Sequence, residues 1–407
     1  MQCIQVIFAS VNLINESKAM RVLKGCKLML GLMCMYSAVQ AQEAVFVSGQ
    51  EGFKSFRIPA IIGTPKGELL AFAEGRVHGS GDFGDIDIVM KKSTDKGKTW
   101  SQIKTIADYD KLQAGNPAPV MDLTDPQYPQ GRIFLFYNTG NNHEGEVRHG
   151  KGLREVWYKT STDGGESWSE GVNITTQVHR PNMKSENPDY HFPEDWRSYA
   201  NTPGHAMQFK KGPYKDRIYI PANHSEGNSK PDATDYVAHG FYSDDHGKTF
   251  KISENVKIWG SNESTAAEIS NGRLLMNSRN QKGDEKYRIV SLSHDGGAKW
   301  DTVYFDRQLP DPVNEGSILT IQHGKKYNTL AFSNAADTQK RDNLTLRISK
   351  DDGKTWGKSI LIDKSSNQES DFTAYSDIVQ LNKKEIGVLY ERDNYRTIVF
   401  KIVDWTK

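Results

Sequence analysis

Cysteine is almost missing from this chain. The 407 residues include three, Cys3, Cys26 and Cys34, all close to the N-terminus. The segment that holds them reads as an export signal. Arg21, Lys24 and Lys27 precede an apolar run at 28–36, and Val39-Gln-Ala41 puts small residues where a signal peptidase cuts. Cleavage is expected after Ala41, so 1–41 is a signal peptide, with Met20 a candidate start and 1–19 an upstream extension. Cys34 is a weak lipid-anchor site because bulky Met33 precedes it. The mature chain, 42–407, then has no cysteine, which excludes disulfide staples, thiol nucleophiles and cysteine metal sites together. The expected location is periplasmic or secreted.

Other absences narrow the classes further. The apolar run at 28–36 is too short to span a bilayer, so no membrane span is expected in the mature chain. A formal net charge of +1 gives no basic surface for nucleic acid or an anionic membrane. The eleven histidines show no H-E-x-x-H or paired spacing, so no metal and no cofactor is expected. No amphipathic pattern reaches a helix of about twelve residues. Gly79-Ser-Gly-Asp-Phe-Gly84 spells G-x-G-x-x-G, but no helix follows to meet a dinucleotide's phosphates.

What the chain has in quantity is turns and rings. It holds 35 glycines and is 10% aromatic, which suits strands joined by tight turns. A box of the form S-x-D-x-G-x-x-W stands at Ser349-Lys-Asp-Asp-Gly-Lys-Thr-Trp356, with near-copies at 93–100, 161–168, 243–250 and 293–300. Such a box suits a hairpin tip whose aspartate accepts backbone N–H groups. Asp95, Asp163, Asp245, Asp295 and Asp351 occur once per copy, whereas one active site needs unlike residues converging. They are therefore read as structural.

Between the boxes lie strand-length apolar stretches at 86–90, 132–137, 217–221, 273–277, 329–333 and 385–390, bounded by turn residues. The boxes start 68, 82, 50 and 56 residues apart, about one four-stranded sheet per interval. The expected fold is all-β: a single six-bladed β-propeller domain, expected as a monomer. The excess length falls at 139–154 and 177–204, loops that would wall a central cavity. Tyr190, Phe192, Trp196 and Tyr199 there would either meet a ligand or pack the loop.

Three arginines stand beside apolar runs, in Phe56-Arg57-Ile58-Pro59, Asn277-Ser-Arg279-Asn and Lys340-Arg341-Asp. Singly, each reads first as a structural ion pair. Together, F-R-I-P near the start and five boxes resemble the bacterial exo-sialidases of glycoside hydrolase family 33, along about 45–405. That resemblance implies the sialidase propeller and the hydrolysis of terminal α-linked sialic acids from glycans, glycoproteins or glycolipids. It implies that Arg57, Arg279 and Arg341 grip the sugar's carboxylate, with Glu391 orienting Arg57 and Arg76 lying near the sugar's O4 side. A guanidinium fork can bind a carboxylate bidentately, which a lysine cannot.

The resemblance also assigns the chemistry. Asp82 matches the acid/base aspartate, with Asp85 and Asp87 as competing readings. Tyr375 matches the tyrosine nucleophile and Glu263 its base, with Glu268 the competing base. A carboxylate nucleophile would be repelled by the substrate's own carboxylate, whereas a neutral phenol is not. An acid acting near neutrality needs a raised pKa, and arginines near Tyr375 would favour its phenolate. Two rivals share these residues in part. A trans-sialidase or intramolecular trans-sialidase would keep them all, while a non-catalytic sialoside-binding propeller needs only the arginines.

Overall fold

A computed structural model describes residues 43–322, 329–367 and 371–407. The expected signal peptide and its cleavage point lie outside these residues. Gln42–Lys407 forms one compact unit.

Nearly all of the regular structure is antiparallel strand. After β1 (Glu43–Val47), the strands β2 (Ser55–Gly63), β3 (Leu69–Arg76), β4 (Ile86–Ser93) and β5 (Lys104–Ala107) form a meander. A second follows: β6 (Gln113–Asp122), β7 (Arg132–Gly140), β8 (Arg154–Ser161) and β9 (Val172–Asn173). Two short helices flank β8 and β9, α1 (Glu144–Arg148) and α2 (Thr175–Val178). The next sheet holds β10 (Trp196–Asn201), β11 (Met207–Gln208), β12 (Ile218–Glu226), β13 (Tyr236–Ser243) and β14 (Lys251–Ile252). Then come β15 (Ser261–Ile269), β16 (Arg273–Asn280), β17 (Tyr287–Ser293) and β18 (Thr302–Pro310). The sheet of β19 (Gly316–Thr320), β20 (Leu330–Ala335), β21 (Leu344–Ser349) and β22 (Lys358–Asp363) follows. Last are β23 (Thr373–Gln380), β24 (Glu385–Arg392) and β25 (Thr397–Asp404), on which β1 returns to pair.

These sheets make a β-propeller arrangement. They number five where the box spacing predicts six, because a single parallel bridge, Ile86 to Gln113, joins the first two meanders into one eight-stranded sheet. All six apolar stretches foreseen as strands overlap strands. The core lies between sheets rather than at one centre: Phe46, Phe56, Ala71, Leu389 and Phe400 meet in one such layer. Leading strands line the middle, with β2 against β6 and β23, and β19 against β15 and β23.

The boxes form tight turns between the last two strands of their meanders or sheets. In the first, Ser93 Oγ donates to Asp95 Oδ1 at 2.8 Å and accepts from Gly97 N at 2.8 Å. Thr99 closes on Asp95 through its N (2.9 Å) and Oγ1 (2.7 Å). Those hydrogen bonds hold the Asp95 carboxyl at about 2. None of the five box aspartates lines the central cavity described below.

Candidate active site

The leading strands break their ladders at similar points. Register slips occur between Arg57 and Ala60 in β2, Gly115 and Ala118 in β6, and Trp196 and Tyr199 in β10. The same happens between Ser261 and Ser264 in β15, and between Thr373 and Ser376 in β23. A bulge re-aims a side chain that regular pleating would send elsewhere. These five carry Arg57, Asn116, Ser198, Glu263 and Tyr375, and all five side chains line one cavity of about 270 Å³.

Of the residues expected in the site, Arg57, Arg76, Asp82, Glu263, Arg279, Arg341 and Tyr375 all line that cavity. Glu391 lies fully buried behind it. Its Oε1 accepts from Arg57 Nε at 2.8 Å and from Ile58 N at 2.9 Å. Its Oε2 accepts from Arg57 Nη2 at 3.2 Å and from Tyr375 N at 3.1 Å. One carboxylate thus fixes an arginine and the strand that bears the tyrosine.

Tyr375 Oη donates to Glu263, with both Oε atoms 2.7 Å away. Arg279 Nη1 reaches Glu263 Oε2 at 2.6 Å and Tyr375 Oη at 2.8 Å. Burial raises the Tyr375 pKa well above its usual value, and the charge on Glu263 adds to it. Arg279, Arg341 and Arg57 pull the other way without prevailing. The arginines favour the phenolate, as expected, but burial and Glu263 outweigh them, and the resting side chain is a neutral phenol.

Asp82 departs from expectation as well. Enclosure at the cavity wall opposes its charge, but Arg76 Nη1 at 2.8 Å and Arg57 Nη1 at 3.6 Å outweigh it and lower its pKa. With its side chain 68% exposed, Asp82 rests as a carboxylate at the mouth. The raised pKa required of an acid is not what this arrangement of arginines gives Asp82. Among its rivals, Asp87 has a pKa raised to about 7 by burial, Asp108 and Asp85, yet neither Asp85 nor Asp87 lines the cavity. Glu268 sits at the far end of β15, where it accepts from Lys210 N (2.8 Å) and Lys211 N (3.1 Å).

Some site residues escaped the sequence reading. Glu74, 1% exposed, binds Arg76 Nη2 at 2.6 Å and accepts from Asn116 N at 2.8 Å. Its place in Ala73-Glu-Gly-Arg76, a charge inside an apolar strand, was the available signal. Tyr395 receives Arg341 Nη1 at 3.0 Å and lies under Arg57, ring centroid 4.0 Å from Cζ. Nothing local marks it, because Asp393, Asn394 and Tyr395 reach the site through three successive left-handed residues. Of the four loop aromatics, only Tyr199 lines the cavity, while Trp196 stacks on His224 at 3.5 Å.

Asp122, Asp125 and His246 bring ligand atoms within 4.8 Å of one another, outside the cavity. Their acceptors are engaged: Gln208 Nε2 donates to Asp122 at 2.7 Å and Arg132 Nη2 to Asp125 at 2.9 Å.

Comparison with known proteins agrees with this architecture. A model of the BNR repeat-like domain matches residues 67–388. A sialidase of Micromonospora viridifaciens is 33% identical over 369 residues, covering 86% of this chain and 52% of the relative. A sialidase of Bacteroides fragilis is 28% identical, over 84% of this chain and 61% of the relative. The chain thus spans about half to three fifths of the length of these two curated relatives. Among solved structures, the Hadza microbial sialidase Hz136 superposes with a TM-score of 0.73 at 24% identity, covering 90% of this chain and 68% of that one. The intramolecular trans-sialidase from Ruminococcus gnavus gives 0.68 at 18% identity, covering 91% and 99%. The chain belongs to the BNR repeat-like family.

Proposed function

We propose that the protein is an exported, retaining exo-α-sialidase with a tyrosine nucleophile. The observation that carries this reading is Tyr375 Oη held 2.7 Å from both oxygens of Glu263, in a cavity that Arg57, Arg279 and Arg341 also line. The two meanders of the eight-stranded sheet count as separate blades in this reading, making six, since one bridge joins them.

The three guanidinium groups take the sialic acid carboxylate through charge-assisted hydrogen bonds. Arg341 is the freest of them, its one hydrogen bond among the described residues going to the Tyr395 hydroxyl. The arriving carboxylate draws on the charge of Arg57 that otherwise stabilises the Asp82 anion. Binding therefore raises the Asp82 pKa and loads the proton needed for catalysis. Asp82 gives that proton to the leaving oxygen as Tyr375 Oη attacks the anomeric carbon and passes its own proton to Glu263. The C–O bond to the leaving group breaks and a sialyl–tyrosine bond forms. Asp82 then takes a proton from water, whose oxygen displaces the tyrosine, and Glu263 returns the proton to Tyr375. Two inversions give retention. A neutral resting phenol suits this role, because the substrate's carboxylate would repel a phenolate.

The leaving group would occupy a recess of about 410 Å³ that shares Asp82, Glu144, Tyr236 and Gln281 with the cavity. The test is release of sialic acid from a fluorogenic α-sialoside, with proton NMR of the first product. The α-anomer is expected, and Tyr375→Phe should lower kcat at least about 10³-fold. An unimpaired Tyr375→Phe protein overturns the nucleophile, and a 2,7-anhydro product replaces hydrolysis with intramolecular transfer.

A further inference from the structure

One guanidinium of the cavity is left unused by this chemistry. Arg154 opens β8, is 5% exposed and lines the cavity wall built by β6, β7, β8 and β10. The other cavity arginines hold carboxylates or await one: Arg57 has Glu391, Arg76 has Glu74 and Asp82, Arg279 has Glu263, and Arg341 faces the substrate's own. Arg154 has none within 4.0 Å among the described residues, and its one hydrogen bond there runs from Nη1 to Gln113 Oε1. Burial lowers its pKa, and the more distant Glu144 and Glu74 do not offset that. A buried cation without a counterion is costly to folding.

The chain makes room for it nonetheless. Gly140 pairs with Arg154 across the β7–β8 ladder, and a Cβ there would collide with Nη1 and Cζ of Arg154. The Gly140 backbone is not left-handed, so space is what glycine supplies. Near Arg154, Glu144 Oε1 accepts from Ser198 Oγ at 2.8 Å and Tyr236 Oη at 2.6 Å, and Asn223 Nδ2 is buried without a partner. A donor-only guanidinium and an acceptor-only carboxylate on the same cavity wall suit neighbouring hydroxyls, each of which accepts and donates. An N-acyl methyl pressed there would desolvate Arg154 and give nothing back.

We propose that Arg154 is a substrate-binding residue that reads the hydroxylated three-carbon arm of sialic acid, with Glu144 accepting the hydroxyl protons. This rests on the sialidase reading and adds a specificity element to it. The test compares an aryl α-sialoside with its analogue whose arm is cut to one carbon by periodate cleavage and borohydride reduction. The parent should prefer the full arm by about 10- to 100-fold in kcat/KM, the range for hydrogen bonds to a charged group. In Arg154→Met that preference should fall to within about threefold, with Arg154→Lys intermediate because it keeps charge without the fork. Gly140→Ala, which displaces the guanidinium without removing it, should fall the same way. A preference that survives Arg154→Met, with both substrates slowed equally, overturns the inference. So does a loss that tracks exchange of N-acetyl for N-glycolyl instead of the arm. A parent that cleaves neither substrate fails the sialidase reading alone. Calorimetric binding of free sialic acid and its shortened form to parent and Arg154→Met then decides the role of Arg154 by the same ratio.

Discussion

Ile58 holds a φ of 56°, a conformation β-branched residues rarely adopt. Its N–H donates to Glu391 Oε1, and its side chain packs on Ala374 and Tyr375, so contacts on both sides hold the strained backbone in place. The strain lies in the bulge that turns Arg57 into the cavity. Glu391 is the residue on which this geometry depends most, since four donors converge on its two oxygens. In Glu391→Gln, the amide nitrogen would face N–H groups and the buried arginine would lose its countercharge. We expect a loss of about 3–5 kcal/mol in stability, as for a broken buried pair. Urea unfolding at pH 7 checks this, with KM rising more than kcat falls because Arg57 binds rather than reacts. The F-R-I-P motif was visible in the chain, but the reason for the left-handed backbone at Ile58 was not. That reason is a carboxylate 333 residues away in sequence.

The box turn is the element that recurs, and its role is wider than a hairpin tip. A Cβ on Gly97 would overlap Phe400, and one on Gly165 would press Leu70 and Met90. One on Gly247 would overlap Phe134, and one on Gly297 Tyr219. In each case the glycine meets a residue of the preceding meander or sheet, or of the last sheet for the first box. The turns therefore staple neighbours together around the ring. Ring contacts follow the same rule, with Trp100 on Phe400 at 5.6 Å and Trp168 on Phe72 at 6.1 Å. Asp351→Ala removes acceptors of Ser349 Oγ (2.8 Å), Thr355 N (2.9 Å) and Thr355 Oγ1 (2.7 Å). It should lower stability by about 1–2 kcal/mol while folded protein turns over at the parent rate. Normal melting with lost turnover would reverse that assignment. Gly247→Ala should destabilise more, because it forces a side chain into the Phe134 ring at a left-handed φ of 78°.

At the scale of the whole molecule, the structure is tied at its middle. Asp377, two residues after Tyr375, accepts from Ile61 N of β2 (2.7 Å), Ser317 Oγ of β19 (2.6 Å) and His205 N (3.0 Å) and contacts His205 Nδ1 (2.6 Å). Burial opposes a charge on His205, but Asp377 prevails and raises its pKa, so its contribution is full below about 6.5 and is lost as pH rises through the raised value. His179, His224 and His239 behave oppositely. All three are fully buried beside Tyr199 and Trp196, and burial lowers their pKa values, His239 to about 3, with Arg180 adding to the effect at His179 and His239. Below about pH 6.5 the unfolded chain binds protons that these three refuse, so stability falls with pH by up to about 1.4 kcal/mol per unit for each. Denaturant titrations between pH 7 and 5 should show that slope. His179→Phe, which removes two ring nitrogens without partners among the described residues, should flatten it by about one proton. The sequence alone determined the repeat, six of the strands, the family likeness and the identities of Arg57, Asp82, Glu263, Arg279, Arg341 and Tyr375. Each of these is written in local spacing or in a motif a few residues long. Only the tertiary structure decided that Tyr375 rests protonated, that Asp82 rests ionised, that the first two meanders share a sheet, that Arg154 lines the cavity and that Tyr395 braces two of its arginines. Those outcomes depend on burial and on charges brought together from distant strands, and neither is encoded in the neighbours of any one residue.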